Sequence, residues 1–141
     1  MSPTTVALKL GLPGSVRSVR ELNAALEAGL PARALERVAT ELAVIGVARS
    51  HVLALVGRTR TLQRKLAGHL RLSADESDRL ARLARVVVRA EEVLGSSDRA
   101  GHWLTRPNRG LGGEPLDFLR TDAGTVAVEQ ELGRIEHGIF G

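Results

Sequence analysis

Residues 47–70 read VARSHVLALVGRTRTLQRKLAGHL, and the order of apolar, basic and glycine positions in this stretch decides how the rest of the chain is read. A short helix is expected from about Ala48 to Val56, interrupted by Gly57. A second follows from about Thr59 to Leu70, with Leu62 and Leu66 facing inward. That leaves Arg60, Thr61, Arg64 and Lys65 on faces the core does not need, with Arg58 at the turn. Two short helices meeting at a glycine turn, the second rich in Arg, Gln and Thr, have the layout of a helix-turn-helix. Its second helix would offer Arg58, Arg60, Thr61, Arg64 and Lys65 to phosphates and base edges. The same pattern fits an ordinary helical hairpin with a solvated basic face, and the two readings stay level at this point.

Working outward, the flanks repeat the helical period. Ser18–Glu21 (SVRE) is a capping box that opens a helix running to Gly29. Pro31 suits a first helical position, and Leu35, Val38, Ala39, Leu42 and Ile45 form an apolar stripe closed by Gly46. Ser73–Glu76 (SADE) is a second capping box, opening the longest helix, which carries Leu80, Leu83, Ala84 and Val87 as far as Leu94. A short helix around Trp103, a brief one at Leu116–Leu119 and a last one from Asp122 to His137 follow. Residues 1–14 read as an irregular lead-in. There is no strand pattern of useful length, so the fold is expected to be all-α, with a helical helix-turn-helix bundle over residues 1–72 and a second small helical domain over residues 73–141.

Composition narrows the function. The 141 residues hold no cysteine, which excludes disulfides, thiolate metal sites and cysteine nucleophiles. Trp103, Phe118 and Phe140 are the only aromatics, so the core must be made of Leu, Val and Ala, which suits helix-on-helix packing. No apolar run reaches the about 18 residues of a membrane span, and no signal-peptide pattern opens the chain, so an intracellular, cytoplasmic protein without membrane partners is expected. The net charge of +4 is uneven: residues 1–72 sum to +7 and residues 73–141 to −3. No acid lies between Glu41 and Asp75, while six Lys and Arg residues do. This basic segment can attract phosphates, or can simply be a solvated face.

Three other features bear on function. RPNRGLGGEP (residues 106–115) lacks the preceding strand and the following Lys of a phosphate loop, and Glu114 would repel a phosphate. Pro107 and Pro115 argue against a flexible linker. A shaped loop is expected, with Asn108 as its side-chain cap. His51, His69, His102 and His137 have no ligand spacing, so no metal, no cofactor and no catalytic residue is expected, and the protein is read as a non-enzyme. Gly138-Ile139-Phe140-Gly141 is apolar where chain ends are usually polar. It either folds back onto the core or serves as a peg for a partner.

Residues 103–140, WLTRPNRGLGGEPLDFLRTDAGTVAVEQELGRIEHGIF, resemble the C-terminal domain of the Xre/MbcA/ParS family of antitoxins. The resemblance lies in Trp103-Leu104, Pro107-Asn108, Leu111-Gly112-Gly113, Pro115-Leu116-Asp117, Gly124 and Arg134-Ile135-Glu136-His137-Gly138. It extends more weakly upstream through residues 72–95 and Gly29–Pro31. Related segments usually carry an apolar residue where Arg58 stands. The resemblance implies an antitoxin of a type II toxin–antitoxin pair, whose toxin has a RES domain and consumes NAD. It implies that the C-terminal end blocks the toxin's active site, through Arg134, Glu136, Ile139, Phe140 and Gly141. It further implies binding to operator DNA, repression of its own operon, a homodimer, and a hetero-oligomer with toxin. A helix-turn-helix regulator without a toxin partner is the alternative reading.

Overall fold

The computed structural model describes residues 2–138. Ile139, Phe140 and Gly141, where the sequence suggests a peg, lie outside the described residues. Among the described residues eight α-helices and one 3-10 helix form the fold, and no strand occurs. No helix among them is long and apolar enough to cross a membrane.

The spine is α6 (Ala74–Leu94), 21 residues and so about 30 Å long. Its start is fixed by a complete capping box: the Glu76 N–H donates to Ser73 Oγ (3.1 Å) and the Ser73 N–H to Glu76 Oε1 (2.7 Å). Its end is Gly95, in the left-handed region at φ 93°, a conformation glycine takes without steric cost. Leu80, Leu83, Ala84, Val86, Val87 and Ala90 are all buried, so the apolar stripe is wide enough to serve neighbours on several sides. Of the elements before it, α1 (Pro3–Lys9), α2 (Val19–Ala28) and α4 (Arg49–Val56) pack on it directly, and α3 (Ala32–Val44) and α5 (Thr59–Ala67) pack against α4. Of the elements after it, α7 (Ser97–Leu104), the 3-10 helix (Pro115–Arg120) and α8 (Asp122–Glu136) pack on it as well. One buried apolar cluster runs through all of this, from Val6 to Leu132.

Two local expectations need correcting. Residues 3–9 are not an irregular lead-in but helix α1: Ser2 Oγ accepts from the Thr5 N–H (3.3 Å) and Pro3 starts the first turn. A seven-residue segment with two β-branched threonines has little helical tendency of its own. Val6, Ala7 and Leu10 are buried, and packing on α6 holds the turn in place. Lys9 adds ion pairs to Glu91 (2.8 Å) and Glu41 (3.4 Å). Pro31, in turn, stands just before α3 rather than in it. It is extended, because residues 30–32 pair with residues 70–72: Ala32 N–H donates to Leu70 O (3.1 Å) and Leu72 N–H to Leu30 O (2.8 Å). Gly29 approaches so closely that a Cβ there would lie 2.3 Å from the Leu72 carbonyl oxygen.

Leu10 is 1% exposed within this core. Leu10→Ala is expected to lower unfolding free energy by about 2–5 kcal/mol, as large-to-small core changes do, read as a lower urea midpoint. An unchanged midpoint would show that α1 is not part of the cooperative unit.

Candidate functional site

The helix-turn-helix is built as follows. Val52, Leu53, Leu55 and Val56 of α4 are buried, as is Leu62 of α5, and α3 packs against both helices. Gly57 and Arg58 make the turn. Arg58 is extended and immediately precedes α5, and its side chain is exposed. With Leu62 inward, the outward stripe of α5 is Arg60, Gln63, Arg64 and Ala67, all exposed and spaced by three, one and three residues. Gln63 joins the stripe beyond the residues singled out from sequence. An exposed Gln between two Arg residues is suited to donor and acceptor contacts with base edges. Thr61 is half-buried on the flank of the stripe.

Lys65 is placed otherwise than the sequence suggests. It turns inward, and its Nζ donates to Glu76 Oε1 at 2.6 Å, with side chains only 17% and 10% exposed. The reason is helical phase: Lys65 follows the outward-facing Arg64 by one residue, which swings it about 100° towards the start of α6. Burial opposes the charged form of Glu76, but the hydrogen bond from Lys65, the Ser73 N–H and the Lys65 charge outweigh it and hold the carboxyl below its ordinary pKa of 4.5. Other basic groups of this half are likewise occupied. Arg49 forks onto Glu36 (3.0 and 2.5 Å), which lowers the pKa of that carboxyl, and Arg71 donates to the Gly29 carbonyl (2.7 Å). Arg60 and Arg64 are left pointing to solvent.

The second surface is at the other end of the spine. The loop at residues 106–113 is shaped, as expected. Asn108 Oδ1 accepts from the Leu111 N–H (3.0 Å), Asn108 N–H donates to Gly113 O (2.8 Å) and Gly112 N–H to Asn108 O (2.9 Å). Gly110 lies against the Glu131 carboxylate, where a Cβ would come within 2.9 Å of Oε2, so the loop is closed onto α8. Helix α8 is capped by Thr121 Oγ1, which accepts from the Gly124 N–H (3.0 Å), and it buries Thr125, Val128 and Leu132. Two arginines of α6 tie it down. Arg85 forks onto Glu129 (3.2 and 3.0 Å), and Arg89 forks onto Glu136 (2.8 and 2.5 Å). The Arg89 hydrogen bonds and charge hold the Glu136 carboxyl below its ordinary pKa. Arg134 is exposed and pairs along the helix with Glu131 (2.9 Å). Of the residues singled out here, Arg134 and Glu136 thus sit on the last turn of α8, beside the start of the segment that continues to Ile139.

The two surfaces are linked directly: His51 Nε2 of α4 lies 2.9 Å from Asp117 Oδ1 of the 3-10 helix. No spacing in the sequence signals that pair, nor Arg89 as the partner of Glu136.

A helix-turn-helix bundle and a helical C-terminal module on one shared spine define the class, and comparison with known proteins places it. Residues 21–85 match the Antitoxin Xre-like helix-turn-helix domain, and residues 89–138 match the Antitoxin Xre/MbcA/ParS C-terminal toxin-binding domain. Over 133 residues, 92% of this chain and 86% of the relative, it is 37% identical to Antitoxin Xre of Photorhabdus laumondii. It is 32% identical to Antitoxin Xre of Pseudomonas putida, covering 84% of this chain and 72% of that one. It is 31% identical to the Prs ADP-ribosylating antitoxin of a Sphingobium species, over 59% of this chain and 58% of the relative. The chain belongs to the Xre family of antitoxins. It is an antitoxin of a toxin–antitoxin system and carries a helix-turn-helix domain.

Glu76→Gln removes the charge that holds Lys65 and is expected to destabilise the fold by about 1–3 kcal/mol at neutral pH. Because the folded pKa of Glu76 is depressed, its contribution is complete above about pH 4.5 and is lost as pH falls through the folded value. The gap between wild-type and variant urea midpoints should therefore close on acidification. A gap that persists unchanged to acid pH would show that Glu76 acts through packing alone.

Proposed function

We propose that this antitoxin neutralises a RES-domain toxin that consumes NAD, by occluding the toxin's active site with the segment Ile139–Gly141. In the same proposal α5 binds operator DNA and represses the antitoxin's own operon. Arg58, Arg60, Thr61 and Arg64 make the contacts, and Lys65 holds the helix from behind. The chain acts in the cytoplasm as a homodimer, matching paired half-sites, and as a hetero-oligomer with toxin. It needs no cofactor and performs no catalysis of its own.

The observation that carries the toxin reading is the double tether of α8. Arg85–Glu129 and Arg89–Glu136 fix that helix to the spine along its length, so the end of α8, which precedes Ile139–Gly141 in the sequence, is held in place. A plug that must enter another protein's active site gains affinity when its carrier is already ordered. An apolar aromatic tip is suited to anchor it. The name of the Sphingobium relative supports the chemistry of the target, because ADP-ribosyl transfer takes its ADP-ribose from NAD.

Co-expression with the toxin encoded beside it tests this reading. Wild-type chain should restore growth and cellular NAD. Deleting Ile139–Gly141 should abolish the rescue while leaving the helical circular dichroism unchanged, and unimpaired rescue by the truncated chain refutes the plug. For DNA, Arg60→Ala and Arg64→Ala should each weaken operator binding, by about 1–3 kcal/mol where the contact is bidentate to a base and by less where it is to phosphate. Equal gel retardation by wild type and both variants would make α5 a purely structural helix.

A further inference from the structure

Three arginines from three separate parts of the chain line one open cleft of about 440 Å³: Arg58 before α5, Arg79 in α6 and Arg120 at the end of the 3-10 helix. Two acids also line it, Asp75 and Glu76, but Glu76 already serves Lys65 at 2.6 Å. That leaves three positive charges facing one carboxylate. Arg79 is steadied by donating from Nη1 to the Val56 carbonyl (3.3 Å), which uses one of its five donors. Among the described residues, the side chains of Arg58 and Arg120 have no hydrogen-bond or ion-pair partner. This is unlike the other arginines of α6 and α8, since Arg82, Arg85, Arg89 and Arg134 each hold a carboxylate. Like charges gathered around one cleft repel one another unless an anion joins them, and the planar fork of arginine matches the oxygens of a phosphate.

The cleft also has a direction. Arg58 and Thr61, at the start of α5, form one wall, and the exposed stripe of α5 begins between them at Arg60. A duplex that received this stripe in its major groove would run its sugar–phosphate backbone past the cleft. We infer that the cleft formed by Arg58, Arg79 and Arg120 grips a backbone phosphate of DNA. Arg120, which lies in the stretch matched to the toxin-binding domain, is thereby part of the DNA interface. The inference rests on the DNA-binding half of the proposed function and extends it to a residue outside the helix-turn-helix match, residues 21–85.

The test is the salt dependence of DNA binding by the full chain. Fluorescence anisotropy is followed from low to moderate salt on two duplexes of equal length, the promoter region of its own gene and an unrelated sequence. A phosphate contact carries no sequence information and contributes about one to the slope of log K against log salt. Arg120→Ala should therefore lower the slope on both duplexes, and Arg58→Ala with Arg120→Ala should lower it further, to a total of about one, because the three arginines share one phosphate. Asp75→Asn, which removes the opposing carboxylate, should tighten binding to both. Because Arg120 is exposed and has no protein partner, its loss leaves the fold intact, checked by an unchanged urea midpoint. A slope unchanged in Arg120→Ala, with Arg60→Ala still weakening binding, overturns the inference and leaves the helix-turn-helix reading standing. If wild type binds neither duplex at low salt, both fall together.

Discussion

The Glu76 carboxylate is the point on which the architecture turns. One oxygen closes the N-terminus of α6 and also receives the Lys65 ammonium, so a single anion fixes both the start of the spine and the roll of α5 about its axis. The cost of burying a charge is offset when the charge is paired and hydrogen-bonded, and here Lys65 and the Ser73 N–H both donate to Oε1. Gly57, in the turn between α4 and α5, lies in contact with the same side chain, at a distance where a Cβ would meet Glu76 Cγ at 3.4 Å. Helix α5 is therefore oriented from behind by charge and from beneath by Leu62. Its outward residues are free of structural duty as a result.

The distribution of arginines follows from this division of labour. On the C-terminal side, the guanidinium groups of Arg85 and Arg89 are taken up by carboxylates across a helix pair, and they act as rivets for α8. Around α5 guanidinium groups are left without acids, in keeping with a stretch of sequence that contains none between Glu41 and Asp75. The same residue type thus does two jobs, set by the acids within its reach. Those acids come from a half of the chain with net charge −3.

Much of this was legible in the sequence where cause and effect lie within one turn. The capping box at Ser73, the glycine ends of α3 and α6, the buried stripe of α6 and the Asn108 cap of the loop all follow from neighbours three or four residues apart. What was not legible depends on contacts between distant segments. Helix α1 exists because Val6 and Leu10 find α6, not because of its own composition. Pro31 is extended because residues 70–72 lie alongside it. Lys65 read as a surface cation because its partner is 11 residues away and across a helix boundary. Arg120, at the end of a short 3-10 helix, carries no local sign that it shares a cleft with Arg58. The family was recognisable because its signature is concentrated in the loop and last helix, where spacing is preserved residue by residue.

Helix α6 runs unbroken beneath both matched regions, which meet between residues 85 and 89 inside it. The two surfaces consequently share one rotational phase. A single residue inserted at that junction would turn one module against the other by about 100° and shift it by about 1.5 Å. It would pull Arg85 out of alignment with Glu129, while Arg89 would move together with Glu136. A C-terminal module grafted onto this helix would keep the phase only if the graft added or removed whole turns of α6.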